Sequence, residues 1–214
     1  MKLNRWLIAV CWFWTLGSFA ADKWYQIEIL VFKQTSSTKT KERLPEGSIL
    51  PNAASGIPID ATGDTSLTRG GSVAFRRLGE SAYTLRQQHQ KLVAAPKYSP
   101  ILHLAWRQPI KFRKSGYKVW IQGGRLLTSN VSNSNDPELN SSARQSNYEV
   151  FGHLTFTRAR YLHVYTDLVY RTPSHDGKSE YAHYRLKDHR RMSSRQIHYL
   201  DHPMFGMLIY IKPI

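Results

Sequence analysis

From residue 101 to the C-terminus, apolar and polar residues alternate with a period of two, interrupted by turn signals and by the Ser/Asn-rich stretch Ser129–Ser146. This constrains the chain more than any other feature, because such a pattern buries one face of a strand and wets the other. Strands are expected over 101–108, 117–123, 148–158, 161–171, 183–192, 195–200 and 207–212, with a further one over 24–32. In that first strand Tyr25, Ile27, Ile29 and Val31 share a face. Leu78, Ala82, Leu85, His89, Leu92 and Val93 follow helical spacing instead, and predict one helix over 80–94, stopped by Pro96. With short connections favouring antiparallel neighbours and one helix only, the expected class is α+β: a mostly antiparallel, strongly curled sheet with one long helix packed on it. Residues 33–71, rich in Ser, Thr, Gly, Pro and Lys, are expected to form a long mobile loop within a single domain over 21–214.

Residues 1–20 have the anatomy of a secretory signal peptide. Lys2 and Arg5 precede the apolar run Trp6 to Leu16, and Ser18-Phe19-Ala20 supplies the small-x-small cleavage site. The run falls short of the roughly 20 residues that span a bilayer, although an uncleaved inner-membrane anchor is the alternative. Cleavage removes Cys11, the single cysteine, and so excludes disulfides, thiolate catalysis and Cys-ligated zinc from the mature chain. The 21% of charged residues excludes a multi-span membrane protein, and 12% aromatics excludes wholesale disorder. A net charge of +15 calls for an anionic partner. Outside the cytoplasm this means lipid head groups or cell-wall carboxylates, and no nucleic acid.

Charge is unevenly placed. Between Ser81 and Asn135 there is no Asp or Glu but nine cations, Arg86, Lys91, Lys97, Arg107, Lys111, Arg113, Lys114, Lys118 and Arg125. Lys111, Arg113 and Lys114 are expected at a hairpin tip, as a carboxylate or phosphate clamp; the competing view is a solvated basic face. Tyr161, His163, Tyr165 and Asp167 fall on one face of their strand, which is either a surface for stacking sugar rings or the ordinary wet face of a sheet. His198 and His202 have a zinc-like i,i+4 spacing. Pro203 forces His202 into extended backbone, so Asp201 and His202 are expected to brace a turn instead. Nucleophile elbows, glycine-rich phosphate loops and paired carboxylates are missing, and no enzyme, cofactor or metal is predicted.

Four stretches carry a family resemblance. They are Trp24-Tyr25-Gln26-Ile27-Glu28-Ile29-Leu30-Val31-Phe32; Leu102-His103-Leu104-Ala105-Trp106-Arg107-Gln108-Pro109; Gly152-His153-Leu154-Thr155-Phe156 with Arg160-Tyr161-Leu162-His163-Val164; and the long block from Arg190-Arg191-Met192 through Ile197-His198-Tyr199-Leu200-Asp201-His202-Pro203 to Gly206. Together they resemble the CsiV family, cell-shape-integrity peptidoglycan-binding proteins of the Gram-negative periplasm. Gln196 and Ser194 depart from that pattern, where an acid and a turn glycine are expected. The resemblance implies a non-enzymatic protein that supports cell-wall synthesis, with an outer-membrane lipoprotein and the penicillin-binding synthase it activates as partners. It assigns no ligand residues. Arg forks suit carboxylates and aromatic faces suit pyranose rings, so the candidate contacts are Trp106, Arg107, Gln108, Trp120, Arg190 and Arg191, together with Lys111, Arg113 and Lys114. The alternative functions are a histidine-dependent metal hydrolase and an acidic-lipid surface binder.

Overall fold

The structure, a computed structural model, describes residues 23–35, 43–45, 47–60, 75, 77–112, 116–127, 147–174 and 180–214. The proposed signal peptide therefore lies outside the described residues, as do Arg113 and Lys114.

Among the described residues, nine strands form two sheets. The first contains β1 (Lys23–Gln34), β3 (Tyr98–Ile110), β8 (Ile197–His202) and β9 (Phe205–Pro213) in the order β3-β1-β9-β8. The second contains β2 (Ile57–Asp60), β4 (Lys118–Leu126), β5 (Tyr148–Arg158), β6 (Leu162–Pro173) and β7 (Tyr181–Met192) in the order β2-β4-β5-β6-β7. Every pairing is antiparallel except β2 with β4. The inward residues of both sheets merge into one core, with Ile27, Ile29 and Val31 facing Val119, Ile121, Leu154 and Leu168. Trp106 of β3 meets Phe156 of β5 at 6.1 Å between ring centroids, and Tyr170 of β6 meets Phe205 of β9 at 5.7 Å. This is the face-to-face packing of a β-sandwich.

The expected α+β class with one curled sheet and a long helix is thus corrected. The expected strands lie close to their true bounds, but four links, β1 to β2, β2 to β3, β3 to β4 and β7 to β8, carry the chain from one sheet to the other. Lys111 consequently follows β3 at the start of a link to the other sheet and not at a hairpin tip, while Arg113 and Lys114 lie outside the described residues. The helix is short, α1 (Arg86–Ala94), and buries none of its own residues. Glu80–Ala82 forms a separate 3-10 turn and Tyr83 is extended. The physical reason lies on β1: the Glu28 carboxylate, fully buried, accepts the backbone N–H of Thr84 at 2.7 Å and of Leu85 at 2.8 Å. Those amides are held from below, so helical winding begins only at Arg86. The stripe that predicted a long helix is instead divided: Leu85 is buried, while Val93 is 62% exposed.

The 33–71 stretch also contains unanticipated order. Ile57-Pro58-Ile59-Asp60 is β2, an edge strand too short to announce itself by alternation. Before it, residues 47–56 cross the outer face of the second sheet, where Leu50 and Ala53 cover Trp120, Phe151 and Val169. Gly56 permits this close approach, since a Cβ there would stand 3.0 Å from the His153 ring and 3.1 Å from the Trp120 amide nitrogen.

Candidate functional site

Each sheet has one face in the core and one facing out. On the first sheet the outer face is roofed by the Glu80–Ala94 segment: Gln26 donates to the Ala82 carbonyl (2.9 Å), and Glu28 receives His103 Nε2 (2.8 Å) besides the two amides. A cleft of about 490 Å³ opens there, lined by Glu80, Tyr83, Arg86, His89 and His103 among others. Several of its lining groups are engaged internally. The Tyr83 hydroxyl donates to the His103 carbonyl, Arg86 Nε donates to the Glu80 carbonyl, and the His89 ring stacks on His103 at 5.4 Å. Burial, and then the neighbouring His103, lower the His89 pKa.

Among the described residues, the outer face of the second sheet is roofed over half its length. The 43–56 segment covers the end that carries Phe151, Val169 and Arg171. Arg185, clamped to Asp167 by two bonds of 2.6 and 2.8 Å, ties that roof down by donating to the Ile49 carbonyl. Ser55 meets His153 Nε2 at 3.0 Å and closes its margin. Beyond it lies an open groove of about 590 Å³, lined by Lys118, His153, Thr155, Tyr165, Asp167, Lys187 and His189 among others.

Sheet register builds this groove. Lys118 pairs with Thr155, Thr155 with Tyr165, and Tyr165 with His189, so one row crosses four strands. The adjoining rows hold Trp120, His153, Asp167 and Lys187 on one side, and Thr157, His163 and Arg191 on the other. Period-two alternation points all of them outward. The rings of Tyr165 and His189 stack at 4.3 Å and 7°, and His163 continues the stack, its Nδ1 lying 3.1 Å from His189 Nε2. That short contact requires one of the two histidines to donate and the other to accept. Burial is the chief cause of a lowered His163 pKa, reinforced by His189 and Arg191. The His153 pKa is also lowered, first by burial and then by Lys118. Asp167 is taken up by Arg185, while Asp188 receives the His189 backbone N–H and lies 3.7 Å from Arg190. Lys118, Lys187 and the Tyr165 hydroxyl, by contrast, have no ion pair or hydrogen bond with any described residue. Among the described residues, Tyr165 and the two lysines are thus left exposed.

The residues singled out from sequence are scattered. Trp106 and Gln108 are fully buried, and the indole N–H of Trp106 donates to Gln108 Oε1 at 2.8 Å. Trp120 is 1% exposed beneath Leu50 and Ala53. None of these three presents a surface to a ligand. Arg107 is exposed on β3, in the other sheet from the groove strands, and its carbonyl accepts the Phe75 N–H. Lys111 rests over the Tyr117 ring at 4.4 Å. Arg190 donates to the Tyr199 carbonyl and so joins the edges of β7 and β8. Arg191 lies over Tyr161 at 4.5 Å, on the row beside the groove. His198 and His202 do not converge: the first accepts the Ser193 N–H, and the buried second accepts the Met204 N–H at 3.1 Å. Among the described residues no group of three His, Cys, Asp or Glu is placed to hold a metal ion, and no helix is long and apolar enough to cross a membrane. Lys118, Lys187 and His189 were missed as a group. The signal available for them was the polar face of β6, which selected His163, Tyr165 and Asp167.

Fold and groove together define a β-sandwich with an open, aromatic and cationic face, the form of a binding module. The family model that matches residues 2–214 is that of CsiV, peptidoglycan-binding protein, and the chain belongs to this family. No curated protein and no solved structure matches it.

Proposed function

We propose that the protein is a non-catalytic, exported binder of peptidoglycan that supports cell-wall synthesis and cell shape, and that the half-open outer face of its second sheet is the binding surface. The family match over essentially the whole chain carries the function. What supports the location is that, among the described residues, Lys118, Lys187 and the Tyr165 hydroxyl have no ion pair or hydrogen bond, whereas in the cleft under α1 the Tyr83 hydroxyl and Arg86 donate to backbone carbonyls and His89 stacks on His103. Peptidoglycan combines pyranose rings with peptide carboxylates, and this face combines an exposed ring with ammonium groups. Export fits Ser18-Phe19-Ala20, with a mature N-terminus at Ala21 or Asp22 that intact mass of the periplasmic form checks. An outer-membrane lipoprotein and its penicillin-binding synthase are the partners this role requires.

The test is co-sedimentation with purified sacculi, compared with anionic lipid vesicles at the same ionic strength. Retention by sacculi and not by vesicles is expected. Equal or greater retention by vesicles would replace cell-wall binding with an acidic-lipid function, and release of muropeptides during incubation would sink the non-catalytic assignment.

A further inference from the structure

We infer that the groove holds one sugar ring of the glycan against the free face of Tyr165 and takes carboxylates of the attached peptide arm with Lys118 and Lys187. This deepens the peptidoglycan-binding reading above and rests on it.

The Tyr165 ring is 43% exposed, and His189 covers one of its faces. His189 is itself backed by His163, so the tyrosine is held upright in a stack of three rings. A ring fixed in this way offers its other face without further loss of side-chain freedom. Apolar C–H surfaces of a pyranose pack on such a face, and the phenol hydroxyl at its rim can exchange hydrogen bonds with sugar hydroxyls. Thr155, next across the sheet, adds a hydroxyl to the floor.

The flanks select charge. Lys118 stands two strands from Tyr165 on β4, and Lys187 stands on β7 beside Asp167. At about 4.8 Å per strand, roughly 14 Å of backbone separates the two lysines, so their ammonium groups bracket the groove from opposite sides. Asp167 is neutralised by Arg185, and Asp188 is held by a backbone amide and Arg190. The groove therefore carries a net positive charge that a neutral glycan does not use and a peptide-bearing sugar does. The roof at Ser55 and His153 closes one end, so a ligand enters from the His163 and Arg191 side, where Arg191 and Tyr161 extend the same chemistry.

The experiment is a calorimetric titration of the full exported chain with two probes: a neutral N-acetylglucosamine oligomer, and a muramyl dipeptide with free carboxylates. The muramyl probe is expected to bind about tenfold tighter. Tyr165→Ala should weaken both probes by about tenfold or more, and Tyr165→Phe should restore the neutral one. The Lys118→Gln/Lys187→Gln double variant should retain the neutral oligomer and lose the preference for the muramyl probe. If Tyr165→Ala binds both probes as wild type does, or if the lysine variant keeps its preference, the inference is overturned. All these side chains are exposed, and the melting temperature checks each fold; should Tyr165→Ala melt early, the lysine variant decides alone. Sacculus retention separates the two levels of the claim. Wild type retained by sacculi with unaffected variants defeats this site and leaves the function; wild type not retained defeats both.

Discussion

Trp106 and Trp120 look from the sequence like the aromatic half of a sugar-binding surface, yet both are spent on the interior. Trp106→Ala is expected to cost about 3–5 kcal/mol of stability, read as a lowered denaturant midpoint, because the removed indole leaves a cavity between the sheets. Sacculus binding per folded molecule should not change. Glu28 is a stronger structural determinant than its position in an apolar strand suggests. Glu28→Leu leaves the Thr84 and Leu85 amides and His103 without their acceptor and should cost about 3–5 kcal/mol, the penalty for breaking a buried charged cluster. Hydrogen exchange at the start of α1 should rise with it. Gly152, at φ +145°, is required by geometry: a Cβ there would overlap the Asp167 carbonyl oxygen and stand 2.8 Å from Leu168 Cα. Gly152→Ala should therefore disturb the β5–β6 pairing beneath the groove and lower both stability and sacculus retention, whereas Gly123→Ala, at a normal φ, should be milder.

Among the elements, the 43–56 roof decides how much of the second sheet is available. Leu44 donates its N–H to the His183 carbonyl and Arg43 bridges to Tyr184, which covers the exposed edge of β7. Beneath it, Arg171 lies buried, its guanidinium 5.1 Å from the Phe151 ring, and donates Nε–H to His183 Nε2 at 3.0 Å. An arginine can only donate, so that nitrogen of His183 must be unprotonated. Burial, then the charges of Arg171 and Arg43, push the His183 pKa down to about 4 from 6.5. The folded state thus resists a proton that the unfolded chain accepts. The associated stability is present above pH 6.5 and is lost as pH falls towards 4, by roughly 3 kcal/mol over the full interval. His153, lowered by burial, acts in the same direction. Thermal midpoints measured from pH 7 to pH 4 should fall, and His183→Gln, which can still accept from Arg171 but does not titrate, should flatten the curve. An unchanged slope in that variant would remove His183 as the cause.

At the scale of the whole molecule, the +15 charge supplies attraction to an acidic polymer but not a site. The described cations of the acid-free 81–135 stretch are divided among α1, β3, β4 and, for Lys97 and Lys111, the residues flanking β3, and Arg125 pairs with Glu149 at 3.4 Å. Exposed charges are screened beyond about 8 Å at physiological ionic strength. Sacculus retention of the wild type should therefore decline with salt. Reversal of Lys111, Arg113 and Lys114 to Glu should lower it at low salt and converge with wild type at high salt, while Tyr165→Ala should remain weaker throughout. A triple variant that stays defective at high salt would return the specific contact to those three residues.

The strand positions, the inward faces of β1 and β6, the turn-bracing role of His202, and the family were legible in the residues themselves, whereas Asp201 bonds the Gln34 and Tyr199 side chains and not the turn. Alternation of period two is imposed by each strand's own pleat and needs no partner to be visible. The outward set His163, Tyr165 and Asp167 was visible for the same reason. The division of the strands between two sheets was not, because a crossover and a hairpin differ in where the next strand finds its partner, not in the composition of the link. Nor could the shortened helix be read locally, since it depends on a carboxylate more than fifty residues away in sequence taking the amides of Thr84 and Leu85. The groove lay furthest beyond reach. It is assembled from one row across four strands, each contributing one or two side chains, and whether a tryptophan or a tyrosine on such a row meets solvent depends on where the 43–56 roof comes to rest. Local patterns set which way each side chain points; only the packed tertiary structure set which outward faces stayed open.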